Sequence, residues 1–470
     1  MTPLFAAVLA YLVLQFGIGI WVSRRIRNES DYLLAGRRLG YPLMIFSIFA
    51  TWFGAETMVG SAGLAYRDGV SLASAEPFGY ALCLLLMGLV FATPLWHRKL
   101  TTLADLFRQR YSIPVERLAA VILIPSSLLW AAAQMRAFGQ VLATTTTLPV
   151  EAALLAAAGF CILYTAFGGL LADAITDLVQ GVLLVVGLLV LLGAVVLELG
   201  GVTSAVTAAV HSERIVPAGA GLPIWRTLEA WAVPVCGSVV ATELVARIIA
   251  ARSPRVARRS SFAAGAIYLA VGLIPVFIAL AAPRLAGDLA DPEQFLPTVA
   301  RTLLPAAGYA IFAGGLISAI LSTVDSTLLV SSGLLSHNLL VPLLGIRDQA
   351  TIVHLARGGV VAFGLVAYVL ALRSEGVFAL VEQASAFGST GSLVTVCFGL
   401  FTRWGGPRTA AATLVGGMAS YVSASVGGLS YPFLTSLAVA LGIYVTGALL
   451  ERVVAPPHAT APAANGWTRT

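Results

Sequence analysis

Residues 311–333 read IFAGGLISAILSTVDSTLLVSSG, and Ala319, Ser322 and Thr323 fall at i, i+3 and i+4. On a helix that spacing puts one small residue and two hydroxyls on a single face. Hard cations take oxygen ligands. Two hydroxyls and three carbonyls would cage a sodium ion without fixed charge, and such a site could release its ion readily. The alternative is that these hydroxyls bond their own helix backbone, as Ser and Thr commonly do.

Free carbonyls require a broken helix, and residues 46–63, FSIFATWFGAETMVGSAG, offer one. They sit in an apolar run, 41–66, long enough to cross a bilayer. Gly54, Gly60 and Gly63 weaken that helix and Glu56 places a carboxylate near its centre. A charge at that depth costs about 2.5–3.5 kcal/mol or more and must face protein or water. Irregular backbone at membrane depth survives only where it lines a cavity or is buried in protein. The reading is a span unwound near Phe53 and Gly54, its carbonyls facing a small cation; a Gly-rich packing helix is the alternative.

The elements that position these residues follow from composition. The chain has 470 residues, 59% hydrophobic and 11% charged, with mean hydropathy +0.91. This is an all-α polytopic membrane protein, not a soluble domain. A spanning helix needs about 20 apolar residues. That rule predicts about thirteen spans: 3–22, 41–66, 73–96, 118–144, 149–167, 174–198, 228–250, 261–283, 305–335, 352–372, 377–401, 408–427 and 432–452. The net charge of +6 does not point to nucleic acid, because the arginines cluster in alternate short loops at 23–40, 97–117 and 247–259. Those loops are expected on the cytoplasmic side, with the N-terminus outside and the C-terminus inside. The longer loops 199–227 and 284–304 are expected to hold short surface helices. Residues 1–454 read as one transporter domain, and 455–470 as a disordered cytoplasmic tail. Cys83, Cys161, Cys236 and Cys397 show no metal or disulfide spacing.

The chain also reads as two halves, about 41–198 and 228–401. Segment 228–250 contains AWAVPVCGSVVATELVARI, where Pro234 and Gly237 interrupt a span that carries Glu243. Paired Gly/Pro-interrupted spans in matching places point to a transporter site built on inverted repeats.

Several stretches together resemble the sodium:solute symporter family over nearly the whole chain. They are LLAGRRLG, ATWFGAETMVG, LADLFRQRY, TAFGGLLADAITDLVQG, ARIIAARSP and SAILSTVDSTLLVSSGLLSHNL. The resemblance implies a leucine-transporter-like core of five plus five inverted helices. It implies a sodium site made of the Ala50 and Phe53 carbonyls, the Ala319 carbonyl and the Ser322 and Thr323 hydroxyls. It ties Asp177 to ion coupling or gating.

Within the family, 50–52, 79–95 and 124–133 look most like the high-affinity choline transporter branch, which holds a quaternary ammonium in an aromatic box. Three box positions are kept as Trp52, Tyr80 and Trp130, and a fourth aligns with Ala241, which opens one wall. A cation over an aromatic face gains roughly 0.5–2 kcal/mol. Glu243 could be a counter-ion for an amine or pair with Arg247 one turn on. Glu56 and Glu76 are further acidic candidates.

The function expected is sodium-coupled import of a small organic solute across the plasma membrane by alternating access, a quaternary amine or other amine-bearing compound being favoured. The alternatives are a symporter for an amino acid or monocarboxylate, or a membrane sensor with the same fold. No constellation for an enzyme lies at membrane depth.

Overall fold

The structure, a computed structural model, describes residues 3–145, 149–217, 223–373 and 377–454. The expected tail, 455–470, lies outside the described residues.

The first interrupted span begins at Gly40 with Pro42 in its first turn, where the missing N–H costs nothing. It runs helically over Tyr41–Trp52 and stops at Phe53, whose φ/ψ of −92°/68° leaves the helical region. The chain resumes as a wide turn, Glu56–Gly60, and a helix, Ser61–Asp68. The two arms meet at 57°. Gly54 is required at the bend, since a Cβ there would lie 2.3 Å from Glu56 Oε2.

The second interrupted span is Ile224–Ala232, a wide turn Val233–Gly237, and Thr242–Ala250. Pro234 removes a backbone donor in that turn. A Cβ on Gly237 would come within 2.3 Å of the Ser385 carbonyl, so this bend is pressed against the helix Val377–Ala386.

Ala306–Gly333 carries the hydroxyl face and packs against Val150–Glu198, Ile113–Thr145 and Tyr41–Trp52. It is buried from Phe312 to Gly333. Val150–Glu198 is continuous in outline but turns at Gly169, where φ is +60° and a Cβ would meet Tyr32 at 2.9 Å. That turn falls between the expected spans 149–167 and 174–198. The expected surface helices are present as Val202–Val210 and Phe295–Leu303.

By length and hydropathy, nine helices among the described residues could cross a membrane, ten with the bent pair counted as one. The expected thirteen is not reached on that measure. Val150–Glu198 counts once there, while Pro3–Ser23 and Pro407–Val426 fall outside the set although both are helical.

One end of the bundle is tied by charge. His337 lies 2.9 Å from Glu29 and 3.1 Å from Asp105, and Asn338 donates to Glu116 at 2.7 Å. Burial raises the Asp105 carboxyl, but the bond to His337, its charge and the Thr101 and Thr102 amides bring it below the ordinary value.

Close helix approach generates the first prediction. A Cβ on Gly391 would sit 2.7 Å from the Thr413 carbonyl, whereas one on Gly442 meets nothing within 4 Å. Overpacking costs about 1–3 kcal/mol. Gly391→Ala should lower the thermal unfolding midpoint of the purified protein by several degrees, as read by tryptophan fluorescence. Gly442→Ala should not lower it.

Candidate ion and solute sites

A helix that stops in mid-membrane leaves its last carbonyls without intrahelical donors. The final backbone bond of Tyr41–Trp52 runs from the Phe53 N–H to the Phe49 carbonyl. The carbonyls of Ala50, Thr51, Trp52 and Phe53 lie beyond it. Thr323 reaches across to this point: its hydroxyl donates to the Thr51 carbonyl at 2.9 Å and to the Ala319 carbonyl at 3.2 Å. Thr323, Ser322, Ala319, Ala50 and Phe53 are all buried. The hydroxyl face therefore meets the break. Each hydroxyl gives up its hydrogen to a protein acceptor, which leaves oxygen lone pairs for a cation.

The far side of the break is held by a residue the sequence reading passed over. Gln134 Oε1 accepts from the Ala55 N–H at 2.9 Å, and Gln134 Nε2 donates to Glu56 Oε2 at 2.7 Å. One side-chain amide thus satisfies an orphan backbone donor and orients the buried carboxylate.

Asp177 lies directly behind the hydroxyl face. It accepts the Ser322 hydroxyl on Oδ1 and the Ser47 hydroxyl on Oδ2, the latter at 2.6 Å. Arg247 is fully buried, its Nη2 2.6 Å from Asp173 Oδ2 and 3.5 Å from Asp177 Oδ2. Its Nε donates to Ser47 at 3.1 Å. Ser326 bonds Asp173 at 3.2 Å, and Asp325 accepts from Thr165 at 2.6 Å. Asp173 and the central role of Arg247 had no clear signal in the sequence, because the charges they face come from segments far away in the chain, 74 residues apart for Arg247 and Asp173. Arg247 does not pair with the Glu243 carboxylate. It reaches only the Glu243 carbonyl, at 3.3 Å, and the Glu243 carboxylate accepts from Ser127 and Thr242.

The three aromatic candidates fall in one cluster. Trp52 and Trp130 have ring centroids 5.5 Å apart, edge to face, and Tyr80 lies 6.3 Å from Trp130. Tyr268 adds a fourth ring, 6.3 Å from Tyr80 and 5.4 Å from Phe53. Tyr268 was not singled out from sequence, since an aromatic in an apolar span carries no signal by itself. Ala241, Thr242, Ser385 and Phe387 line a small void beside Trp130. The Tyr80 hydroxyl is 3.1 Å from the Ser385 hydroxyl.

Above Tyr80 is a cavity of about 430 Å³. Its rim includes the exposed residues Asp68, Arg226 and Glu382, and its deep end the buried Tyr80, Ser61 and Ala75. Glu76 lines it; Glu243 does not.

The sodium:solute symporter family model matches residues 32–419. The human high affinity choline transporter 1 is 28% identical over 402 residues, covering 80% of this chain and 68% of that protein. The sodium/pantothenate symporter of Escherichia coli (strain K12) is 28% identical over 352 residues, covering 71% of each. Among solved structures, a Na+-coupled sialic acid symporter in a substrate-bound outward-open state aligns with a TM-score of 0.85 at 16% identity, covering 97% of this chain and 98% of that one. A nucleobase-cation-symport-1 family transporter, closed with bromovinylhydantoin bound, aligns with a TM-score of 0.62 at 16% identity, covering 92% and 97%. These structures establish the leucine-transporter-like fold.

The buried charge network gives a second prediction. Removing one partner of a buried ion pair costs about 3–5 kcal/mol, because the other charge is left uncompensated. Arg247→Met should strongly lower the thermal midpoint of the purified protein. Asp173→Asn in the same chain should recover part of the loss. An Arg247→Met chain as stable as the parent would show that the network does not hold the bundle.

Proposed function

The chain belongs to the sodium:solute symporter family, and on that premise we propose that it carries an amine-bearing organic solute, a quaternary ammonium compound or a near relative, into the cell with sodium. It is a multi-pass membrane protein and a sodium-coupled symporter of a small organic solute, not an enzyme. The finer reading places it in the plasma membrane with its N-terminus outside, as the loop arginines favour.

The observation that carries the ion reading is the Thr323 hydroxyl seated on the Thr51 carbonyl at the break. In this reading sodium takes the carbonyls of Ala50, Phe53 and Ala319 and the hydroxyl oxygens of Ser322 and Thr323. Asp177 orients Ser322 and adds negative charge behind the cage. Sodium then cross-links the first interrupted span to the hydroxyl helix and favours the state whose solute site is formed. The membrane voltage contributes about 2.3 kcal/mol per charge per 100 mV. At about 1.4 kcal/mol per tenfold, one sodium supports roughly 40- to 50-fold accumulation.

The amine reading rests on Trp52, Trp130 and Tyr80 lying together, and on the similarity to choline transporters. The Glu243 carboxylate accepts from Ser127, three residues before Trp130, and from Thr242. Arg226 on the cavity rim and the similarity to pantothenate symporters favour a second reading, a solute bearing a carboxylate.

Proteoliposomes with an inward sodium gradient should accumulate amines from a panel that also holds amino acids, monocarboxylates and sugars. Strong competition by carboxylates alone would replace the amine reading with the second one. Ser322→Ala should raise the sodium concentration for half-maximal uptake at least severalfold while uptake at saturating sodium is largely kept. An unchanged sodium dependence would remove Ser322 from the cage.

A further inference from the structure

The cavity above Tyr80 is lined by three carboxylates, Asp68, Glu76 and Glu382, against one guanidinium, Arg226. Two of the acids do not reach its depth. Asp68 is an exposed rim residue already paired with Arg67 at 2.7 Å, and Glu382 is exposed. Glu76 is only partly exposed and sits four residues before Tyr80. Its carboxylate is held on one side: the hydroxyls of Thr57 and Tyr268 both donate to Oε1, each at 2.7 Å. No donor to Oε2 is found among the described residues. The carboxylate is thus oriented by the second arm of the first interrupted span and by the helix Pro254–Ala281, with one oxygen left for a ligand in the cavity. Below it the rings continue from Tyr80 to Trp130 to Trp52 with spacings of 6.3 and 5.5 Å.

We propose that this cavity is a capture site for an organic ammonium ion, with the Glu76 carboxylate as its charge partner and the Tyr80 ring as its π face. The ion fills it before passing to Trp130 and Trp52. This rests on the amine reading given above. The carboxylate supplies long-range attraction and the first contact, and the ring supplies a cation–π surface that the next two rings extend. The Tyr80–Ser385 bond lies on that route and must open for passage.

The test is equilibrium binding to the full chain in lipid nanodiscs, with choline and tetramethylammonium as cations and 3,3-dimethylbutan-1-ol as the neutral isostere of choline. Glu76→Gln should weaken the cations at least tenfold and leave the isostere within about twofold. Glu76→Asp should restore most of the loss. Parent-level cation binding in Glu76→Gln, or an equal loss for cation and isostere, would overturn the capture site while leaving the amine reading in place. If none of the cations binds the parent chain, the amine reading fails and the capture site falls with it.

Discussion

A helix broken in the middle of a membrane has no water to satisfy its loose ends, so other parts of the protein must do it. Most of the arrangement around Phe53–Ala55 answers that requirement. Thr323 covers the Thr51 carbonyl from one side. Gln134 takes the Ala55 N–H and steadies Glu56 from the other. Gly54 is small because Glu56 Oε2 occupies the space a Cβ would need. What these groups leave are oxygens, at a place where three helices converge. A weakly held alkali ion is the natural partner for oxygens that are oriented but not all used.

The charged and hydroxyl residues near this point connect the two interrupted spans. Ser47 and Thr51 lie on the first, Arg247 on the second, Asp173 and Asp177 on Val150–Glu198, and Ser322 and Ser326 on Ala306–Gly333. A cation drawing on the Ser322 oxygen acts on the same hydroxyl that Asp177 accepts, and Asp177 faces Arg247. In the proposed reading this would link ion occupancy to the second interrupted span, whose bend borders the void beside Trp130. Cost and geometry agree here: fully buried charges are tolerated only with close partners, and such partners leave few alternative arrangements.

Much of this was legible in the sequence because it rests on local rules. Glycine marked the first break and proline with glycine the second, since these residues act on their own backbone. The 319, 322, 323 spacing marked a face because helical period is local. Gln134, Tyr268, Asp173 and the role of Arg247 were not legible. A polar or aromatic residue in an apolar run acquires meaning only from a partner far away in the chain, as Asp173 does from Arg247. For the same reason Glu243 was offered Arg247 one turn along its own helix, whereas tertiary packing gave its carboxylate Ser127. The span count differed for another reason. A length-and-hydropathy rule sees Val150–Glu198 as a single segment, while the turn within it depends on one glycine with positive φ.

The central claim is that sodium closes the gap between the first interrupted span and Ala306–Gly333. Amide hydrogen exchange on the full chain in nanodiscs, compared in sodium and in potassium at equal ionic strength, addresses it directly. Peptides covering 50–58 and 318–327 should gain protection in sodium alone, and Thr323→Val should abolish the gain. Equal exchange in the two salts at both segments would contradict the account.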